Sequence, residues 1–123
     1  MSKNNQPAFL LVCGETTGAP MDPEYVKRSA PIAMQTGLMP IAIGEVGNQV
    51  EVLEGELPEG VGFVAIEQFP SMDALKEFYH SEQYQSAIPF RKDSFKINFL
   101  AAVDGLSQAD LEARAKAAAE LVE

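Results

Sequence analysis

The sequence has little of what a metal centre, a disulfide framework or a membrane span requires. Cys13 is the only cysteine and His80 the only histidine among 123 residues. Neither an intrachain disulfide nor a zinc or copper site with several such ligands is therefore expected. No regular spacing of oxygen ligands, such as an EF-hand loop, is present, so no metal is predicted. The apolar runs are too short to cross a bilayer.

Basic residues are also scarce. Nine Lys and Arg residues stand against eighteen Asp and Glu, a net charge of -9, which repels nucleic-acid backbones and anionic lipids. Neither nucleic acid nor membrane is an expected partner. The motifs GxGxxG, GxxxxGK[ST] and GxSxG are missing, and no cofactor is predicted. The polar first seven residues do not resemble a secretory signal, so the cytoplasm is the expected location.

What the chain does have is the composition of a globular protein, 46% hydrophobic and 22% charged, at a length that suits one domain. About two-thirds of the surface of such a chain can be buried, which suffices for a stable core. We expect a disordered N-terminus over residues 1–7, one domain over residues 8–105, and a helical extension over residues 106–123.

The first half of the domain predicts strands around one helix. The apolar residues 8–14 predict a buried strand. Residues 22–24, Asp-Pro-Glu, predict the start of a helix that ends at Gly37 and that Pro31 kinks or splits near Ser29 and Ala30. Two extended pieces follow over residues 38–46 and 49–54, as one bent strand or a hairpin, and residues 61–69 form a further strand.

The second half predicts two helical pieces, a strand and a last helix. Ser71 is an N-cap for a helix with an apolar face, and residues 81–87 form a second short helical piece that Pro89 stops. In residues 95–103, apolar positions alternate with positions of mixed polarity, which predicts a strand. Its odd-numbered residues are predicted to share one face: Phe95, Ile97, Phe99, Ala101 and Val103. Ser107 opens a C-terminal helix with a narrow apolar stripe.

The element order predicts an α+β fold. A βαββαβ order gives the ferredoxin-like arrangement, an antiparallel sheet with helices on one face. The other face is then open to water although its residues are substantially apolar. A second copy of the chain is the expected cover, which makes the protein a homodimer, a dimeric α/β barrel with room for a small molecule.

Residues 66–91, IEQFPSMDALKEFYHSEQYQSAIPFR, carry a resemblance to a known family. They resemble the domain-of-unknown-function family numbered 1330, as does the upstream stretch VEVLEG over residues 50–55. The matching positions are Phe69, Pro70, Ser71, Phe78, Tyr79, Ser81, Tyr84 and Arg91. The resemblance covers roughly residues 8–105 and implies the ferredoxin-like fold and the dimeric barrel, but no established reaction.

The sequence departs from the family pattern in three places. Gln68 occupies the position of the family's acid, and the nearest acid, Glu67, points to the opposite face of a regular strand. Residues 37–44 lack a second glycine and an arginine expected there, which leaves one basic pocket wall in question. The helix after Ser107 extends beyond the family core, where it could cover a sheet edge or extend a dimer contact.

Three residues are candidates for catalysis. Neutral His80 could take a proton from a carbon acid, and Arg91 could hold a carboxylate or an enolate oxygen. Glu67 is the alternative base if it faces the cavity. A Cys13 nucleophile paired with His80 is disfavoured, because free cysteine is usually a small buried apolar residue.

Three further residues are candidates for ligand binding: Tyr79, Tyr84 and Asn98. The competing interpretation is structural and is favoured. In it, Tyr79 belongs to the core and Tyr84 anchors a loop, while Arg91 pairs with an acid or caps its segment and His80 is a solvated helix end.

Two classes of function remain open. One is a non-catalytic protein that binds a small molecule or a partner, which is favoured. The other is a cofactor-free enzyme of the isomerase, cyclase or oxygenase kind, acting on a small organic acid or carbonyl compound, an option that rests on analogy of fold.

Overall fold

The computed structural model describes residues 6–122. The elements in chain order are β1 (Ala8–Thr16), α1 (Pro23–Thr36), β2 (Met39–Glu45), β3 (Phe63–Phe69), α2 (Met72–His80), α3 (Glu82–Arg91), β4 (Phe95–Asp104) and α4 (Gln108–Leu121). Residues 1–5, most of the predicted disordered N-terminus, lie outside the described residues. The backbone oxygen of Pro7 accepts a hydrogen bond from the Gly105 amide at 2.7 Å.

The four strands form one sheet in the order β2-β3-β1-β4, and every neighbouring pair is antiparallel. One face of the sheet packs against the first three helices. Its core joins Leu10 and Val12 of β1 and Phe69 of β3 to Ile32 of α1 and Phe78 of α2. This arrangement is the predicted ferredoxin-like α+β fold.

Helix boundaries follow the predicted capping residues. The Asp22 carboxylate accepts from the Glu24 amide at 2.9 Å, and the Ser71 hydroxyl accepts from the Ala74 amide at 3.1 Å. Gly37 ends α1 in the left-handed conformation, with φ of 83°. That conformation suits glycine because it has no Cβ.

The predictions that Pro31 splits its helix and that Pro89 stops its helix were wrong, while a kink at Pro31 stays a prediction. Helix α1 runs through Pro31 as one element, and α3 runs through Pro89 to Arg91. Each proline removes only the hydrogen bond to the carbonyl four residues earlier. Pro31 and Pro89, like the residues that carry those carbonyls, Lys27 and Gln85, are exposed, so water can bond the freed oxygens.

The predicted second extended piece, residues 49–54, is not a strand. After β2 the chain turns at residues 46–50, where Val46 and Val50 form an isolated bridge, and residues 51–62 form a loop. The structure therefore has no hairpin at the VEVLEG stretch. Glu51 and Glu54 are exposed, which is consistent with a segment that buries too little apolar surface to join the sheet.

The predicted alternation along the last strand was also wrong, because β4 contains a bulge. Phe99 pairs with Cys13 of β1, whereas Ile97 pairs with the next residue, Gly14, so Asn98 is an extra residue. A bulge of this kind moves the following side chains to the other face. Phe95 and Ile97 therefore lie on the helix-covered face, and Phe99 lies on the open face.

Gly14 fits this bulge because nothing larger does. A Cβ at Gly14 would lie 2.6 Å from the Phe63 ring and 2.7 Å from the backbone oxygen of Lys96. The close approach brings the ring of Phe63 against that of Phe95, with centroids 5.6 Å apart.

The opposite face of the sheet is only partly covered. Phe99 and Val103 are 40% and 46% exposed, and their neighbours Phe9, Leu11 and Ile66 are half-buried. Helix α4 carries no buried residue at all. Within residues 6–122, no helix is both long and apolar enough to cross a membrane.

Ser81 links α2 to α3. Its hydroxyl donates to the Phe78 carbonyl at 2.8 Å and accepts from the Tyr84 amide at 3.0 Å, so one side chain completes two helix ends. We expect Ser81→Ala to lower the free energy of unfolding by about 1–2 kcal/mol, measured by urea denaturation.

Ser107→Ala is the matched control. Ser107 caps α4 by accepting from the Asp110 amide at 3.1 Å, but α4 has no buried residue. Loss of this cap is expected to fray α4 and leave the main unfolding transition unchanged. Equal losses for the two variants would contradict the role given to Ser81.

Candidate functional site

A cavity of about 1070 Å³ lies between the helix-covered face of the sheet and helices α1 and α3. Its walls are mostly apolar. The strands contribute Leu10, Val12, Ala65, Phe95, Ile97 and Leu100. The bulge in β4 matters here, since it places Ile97 and Leu100 on the same side of the sheet.

Three polar side chains from α1 and α3 form a chain of hydrogen bonds at this cavity. The hydroxyls of Tyr25 and Tyr84 lie 3.0 Å apart, and Nη1 of Arg91 donates to the Tyr84 hydroxyl at 3.0 Å. Tyr25 lies in the first turn of α1, and Arg91 is the last residue of α3. All three residues line the cavity.

Arg91 is a buried cation. It is 8% exposed, and its Nε has no hydrogen-bond partner among the described residues. Within the same part of the chain, the one ion pair joins Arg28 to Glu24 at 2.6 Å, so no carboxylate contacts Arg91. The carbonyl end of α3 offers only partial negative charge. A buried guanidinium normally has closer compensation than this.

Glu67 brings a carboxyl group to the same cavity. It pairs with Leu10 of β1, which places it on the helix-covered face, and it lines the cavity. Burial raises the pKa of the Glu67 carboxyl above its usual value, because a charged carboxylate loses hydration there. Gln68, at the position of the family's acid, lies on the open face.

The Tyr25 hydroxyl stays protonated. Burial raises its pKa most, and Tyr84 and the charge of Glu67 raise it further, while the charge of Arg91 acts in the opposite direction. Tyr25 is thus a neutral donor within electrostatic reach of both Glu67 and Arg91. Together with Tyr84, these residues form what we call the polar cluster.

The structure brings three of the six predicted site residues to the cavity: Glu67, Tyr84 and Arg91. His80 is exposed at the end of α2, and the Tyr79 ring lies between its neighbours His80 and Tyr84, with centroids 5.3 and 5.7 Å away. Asn98, the bulge residue, donates to the Glu15 carboxylate at 3.2 Å. None of these last three lines the cavity.

Cys13 pairs with Phe99 on the open face of the sheet and does not line the cavity. It is 4% exposed, and burial raises the pKa of its thiol, which disfavours the thiolate. Among residues 6–122 there is no group of three or more His, Cys, Asp or Glu side chains that could hold a metal ion.

Tyr25 is the member of the polar cluster that sequence reasoning missed. The signal was present in the predicted start of α1. From that start, Tyr25, Ser29, Ile32 and Thr36 follow one another at intervals of three or four residues, which places them on one helix face. Ser29, Ile32 and Thr36 are buried, so this face is the inward one.

Glu67→Gln is expected to stabilise the protein more at pH 7.5 than at pH 4.5. The folded-state pKa of Glu67 is raised, so its ionisation destabilises the fold as pH rises from the unfolded-state pKa through the folded one. Glutamine removes that cost and keeps the shape. The measurement is the melting temperature of both proteins at the two pH values.

Glu45→Gln is the control for this comparison, since Glu45 also lines the cavity but is exposed. It is expected to change the melting temperature little at either pH. A Glu67→Gln effect of the same size at both pH values would argue against the ionisation of a buried carboxyl.

Residues 8–106 match the model of a family described as a domain of unknown function, DUF1330. No curated protein matches the chain significantly. Among solved structures, the RPA0582 protein of unknown function from Rhodopseudomonas palustris is similar, with a TM-score of 0.59 and 21% identity over 84% of this chain and 85% of that one. This likeness shows a shared fold.

Two weaker structural likenesses have TM-scores below 0.5. One is to a dimeric protein of unknown function and ferredoxin-like fold from Bacteroides fragilis, with a TM-score of 0.43 and 12% identity over 80% of this chain and 93% of that one. The other is to SnoaB, a cofactor-independent oxygenase from Streptomyces nogalater, with a TM-score of 0.48 and 10% identity over 84% and 94%.

Proposed function

The chain belongs to the family DUF1330, whose model matches residues 8–106 of its 123, and from that premise we propose that it binds a small organic acid in the cavity. The family has no assigned reaction, so the proposal depends on the site. The observation that carries it is the buried Arg91, which lines the cavity and which no carboxylate among the described residues contacts.

The polar cluster suits a carboxylate. A guanidinium presents its N–H groups in a planar fork that matches the two oxygens of a carboxylate. Nη1 of Arg91 already bonds Tyr84, and the neutral Tyr25 and Tyr84 hydroxyls can donate as well. An anion at this position would make the direct contact with Arg91 that no carboxylate among the described residues makes.

The rest of the cavity suits an apolar ligand body. Outside the polar cluster the walls are mostly aliphatic and aromatic, and a cavity of this size falls in the range of small-molecule sites. Apolar walls favour burial of a hydrocarbon or aromatic body. The combination indicates an organic carboxylate rather than an inorganic anion.

The test compares 2-naphthoate with 2-naphthamide by isothermal titration calorimetry. The two have nearly the same shape, but only the first is charged. A hydrogen bond to a charged group contributes about 1.5–3 kcal/mol, so we expect the carboxylate to bind at least ~10-fold more tightly. Equal affinities, or no binding of 2-naphthoate, would contradict the proposal.

A second candidate function is proton abstraction, which the position of Glu67 favours. Glu67 lines the same cavity as Arg91 and Tyr84. The pKa of its carboxyl is raised, toward the value that suits a base at neutral pH. Glu67 would take a proton from the carbon next to a carbonyl, and Arg91 and Tyr84 would hold the enolate oxygen.

Deuterium exchange separates this enzyme from a binding protein. Phenylpyruvate in D2O, followed by NMR, is expected to lose its methylene protons faster with the native protein than with Glu67→Gln. His80→Ala, outside the cavity, serves as the control with native activity. If phenylpyruvate binds but exchange stays at the rate without protein, the binding function alone remains.

We also propose that the protein is a homodimer joined through the open sheet face. The chain exposes 8278 Å², whereas a compact monomer of 13.3 kDa exposes roughly 6,400 Å². Phe99 and Val103 contribute to the excess, and contiguous apolar patches are uncommon on monomers.

Light scattering tests the dimer. The native protein is expected to have twice the mass of one chain, and a Val103→Asp variant about the mass of one chain. A native protein with the mass of one chain would contradict the dimer.

A further inference from the structure

The cavity holds one group of fixed charge and one whose charge can change. Arg91 stays protonated at every relevant pH. Glu67 can be a carboxylate or a neutral acid. The titratable and charged groups that line the cavity with Glu67 come from three elements: Tyr25 on α1, Tyr84 and Arg91 on α3, and Glu45 on β2. Among the described residues, β1 and β4 contribute no charged or titratable side chain to the lining of the cavity.

Charge balance in the empty cavity differs from that in the occupied one. Glu45 is exposed to water, which screens its charge, so the balance concerns the two groups that are more buried. With Glu67 ionised, its charge and that of Arg91 sum to zero. A bound carboxylate adds a second negative charge beside the partly buried Glu67, where like charges repel more strongly than in bulk water. One proton on Glu67 restores the balance.

On the basis of the function proposed above, we propose that the ligands are monoanionic carboxylic acids and that each binding event takes up one proton, which resides on the Glu67 carboxyl. The solvent supplies this proton. The bound state is then a ligand carboxylate, a cationic Arg91 and a neutral Glu67. Because a neutral Glu67 cannot take a proton from the ligand, this bound state belongs to the binding function and is incompatible with the second candidate function. A dianion is disfavoured, because Glu67 can neutralise only one additional charge.

The surroundings of Glu67 support this assignment. The carboxyl group is partly buried on β3 opposite Leu10, and among the described residues no hydrogen bond or ion pair holds it in the charged form. The charge of Glu67 raises the pKa of Tyr25 and the charge of Arg91 lowers it. An anion beside Tyr25 therefore interacts with both charges.

Proton uptake also changes what Glu67 can recognise. A carboxylate only accepts hydrogen bonds, whereas a carboxylic acid also donates one. In the occupied cavity Glu67 can therefore donate to a second oxygen of the ligand. Acids with an additional carbonyl or hydroxyl oxygen are expected to be preferred over simple carboxylates.

The experiment measures protons taken up per ligand. 2-Naphthoate is titrated calorimetrically at pH 7.5 in phosphate and in Tris, two buffers that differ in heat of ionisation. We expect uptake of more than half a proton per ligand in the native protein and none in Glu67→Gln. The dissociation constant of the native protein is expected to rise as much as tenfold per pH unit above pH 7.5, but not that of the variant.

Three controls define the assignment. Glu45→Gln, which removes an exposed carboxylate from the same cavity, is expected to keep the native uptake. Neutral 2-naphthamide is expected to take up no proton. The dianion naphthalene-2,6-dicarboxylate is expected to bind at least tenfold more weakly than 2-naphthoate.

The outcomes separate the two proposals. Binding of 2-naphthoate without proton uptake, or uptake that persists in Glu67→Gln, overturns the coupling and leaves the organic-acid site intact. Loss of proton uptake in Glu45→Gln would mean that the proton resides on Glu45 rather than on Glu67, which also overturns the coupling. Failure of 2-naphthoate to bind, or equal binding of the amide, overturns both.

Discussion

Replacing Arg91 with methionine is expected to weaken binding of 2-naphthoate at least ~100-fold. Two charge-assisted hydrogen bonds from a guanidinium contribute about 3 kcal/mol or more, which corresponds to that factor. Methionine fills a similar volume with an apolar side chain. Calorimetry against 2-naphthoate and 2-naphthamide is the measurement, and the variant is expected to bind the two ligands equally.

The same variant is expected to remain folded. Its free energy of unfolding in urea is expected to change by less than about 1.5 kcal/mol, because loss of the bond to Tyr84 is offset by removal of a buried charge that no carboxylate contacts. Arg28→Met is the control. Arg28 is exposed and pairs with Glu24 one turn away, so its loss is expected to cost only a few tenths of a kcal/mol and to leave ligand affinity unchanged.

The opposite pattern would assign Arg91 a structural role. A large loss of stability with unchanged preference for the carboxylate would mean that Arg91 serves the end of α3 rather than a ligand. That interpretation was the favoured one from the sequence, and the structure supplies the reason to test it: Arg91 lines a cavity, and no acid among the described residues contacts it.

Much of the fold could be predicted because its signals are local. The order of strands and helices, the N-caps Ser71 and Ser107, and the end of α1 at Gly37 each depend on a few adjacent residues. The predicted split at Pro31 and the predicted stop at Pro89 were wrong for a different reason. Whether a lost backbone bond breaks a helix depends on whether water reaches the freed carbonyl, and exposure is set by the whole fold.

The candidate site was predictable only in part, since faces and cavities depend on pairing between distant segments. Glu67 could not be assigned to a face until its pairing with Leu10 was known. The bulge at Asn98 puts Phe99 on the face opposite to Ile97, although strict alternation would place both on one face. The sequence around Asn98 contains no signal for this bulge. His80 was a predicted site residue but is exposed, whereas Tyr25 was not predicted and lines the cavity. The sequence indicated the inward face of α1, but only the packing of α1 against α3 shows that this face meets a cavity.

Phe69→Ala is expected to lower the free energy of unfolding by about 3–5 kcal/mol. Phe69 is the last residue of β3 and is 0% exposed. The centroid of its ring lies 5.5 Å from that of Phe78 on α2. A loss of this size approaches the whole stability of a small domain. Urea denaturation at a concentration that keeps the native oligomer is the measurement.

Phe99→Ala is the matched comparison on the other face of the sheet. Phe99 is 40% exposed in the single chain, so its removal is expected to cost about 1 kcal/mol at most within one subunit. If the dimer exists, the same variant weakens it, and the loss grows with protein concentration. Similar, concentration-independent losses for Phe69 and Phe99 would contradict both the one-sided core and the covering of the open face by a second copy.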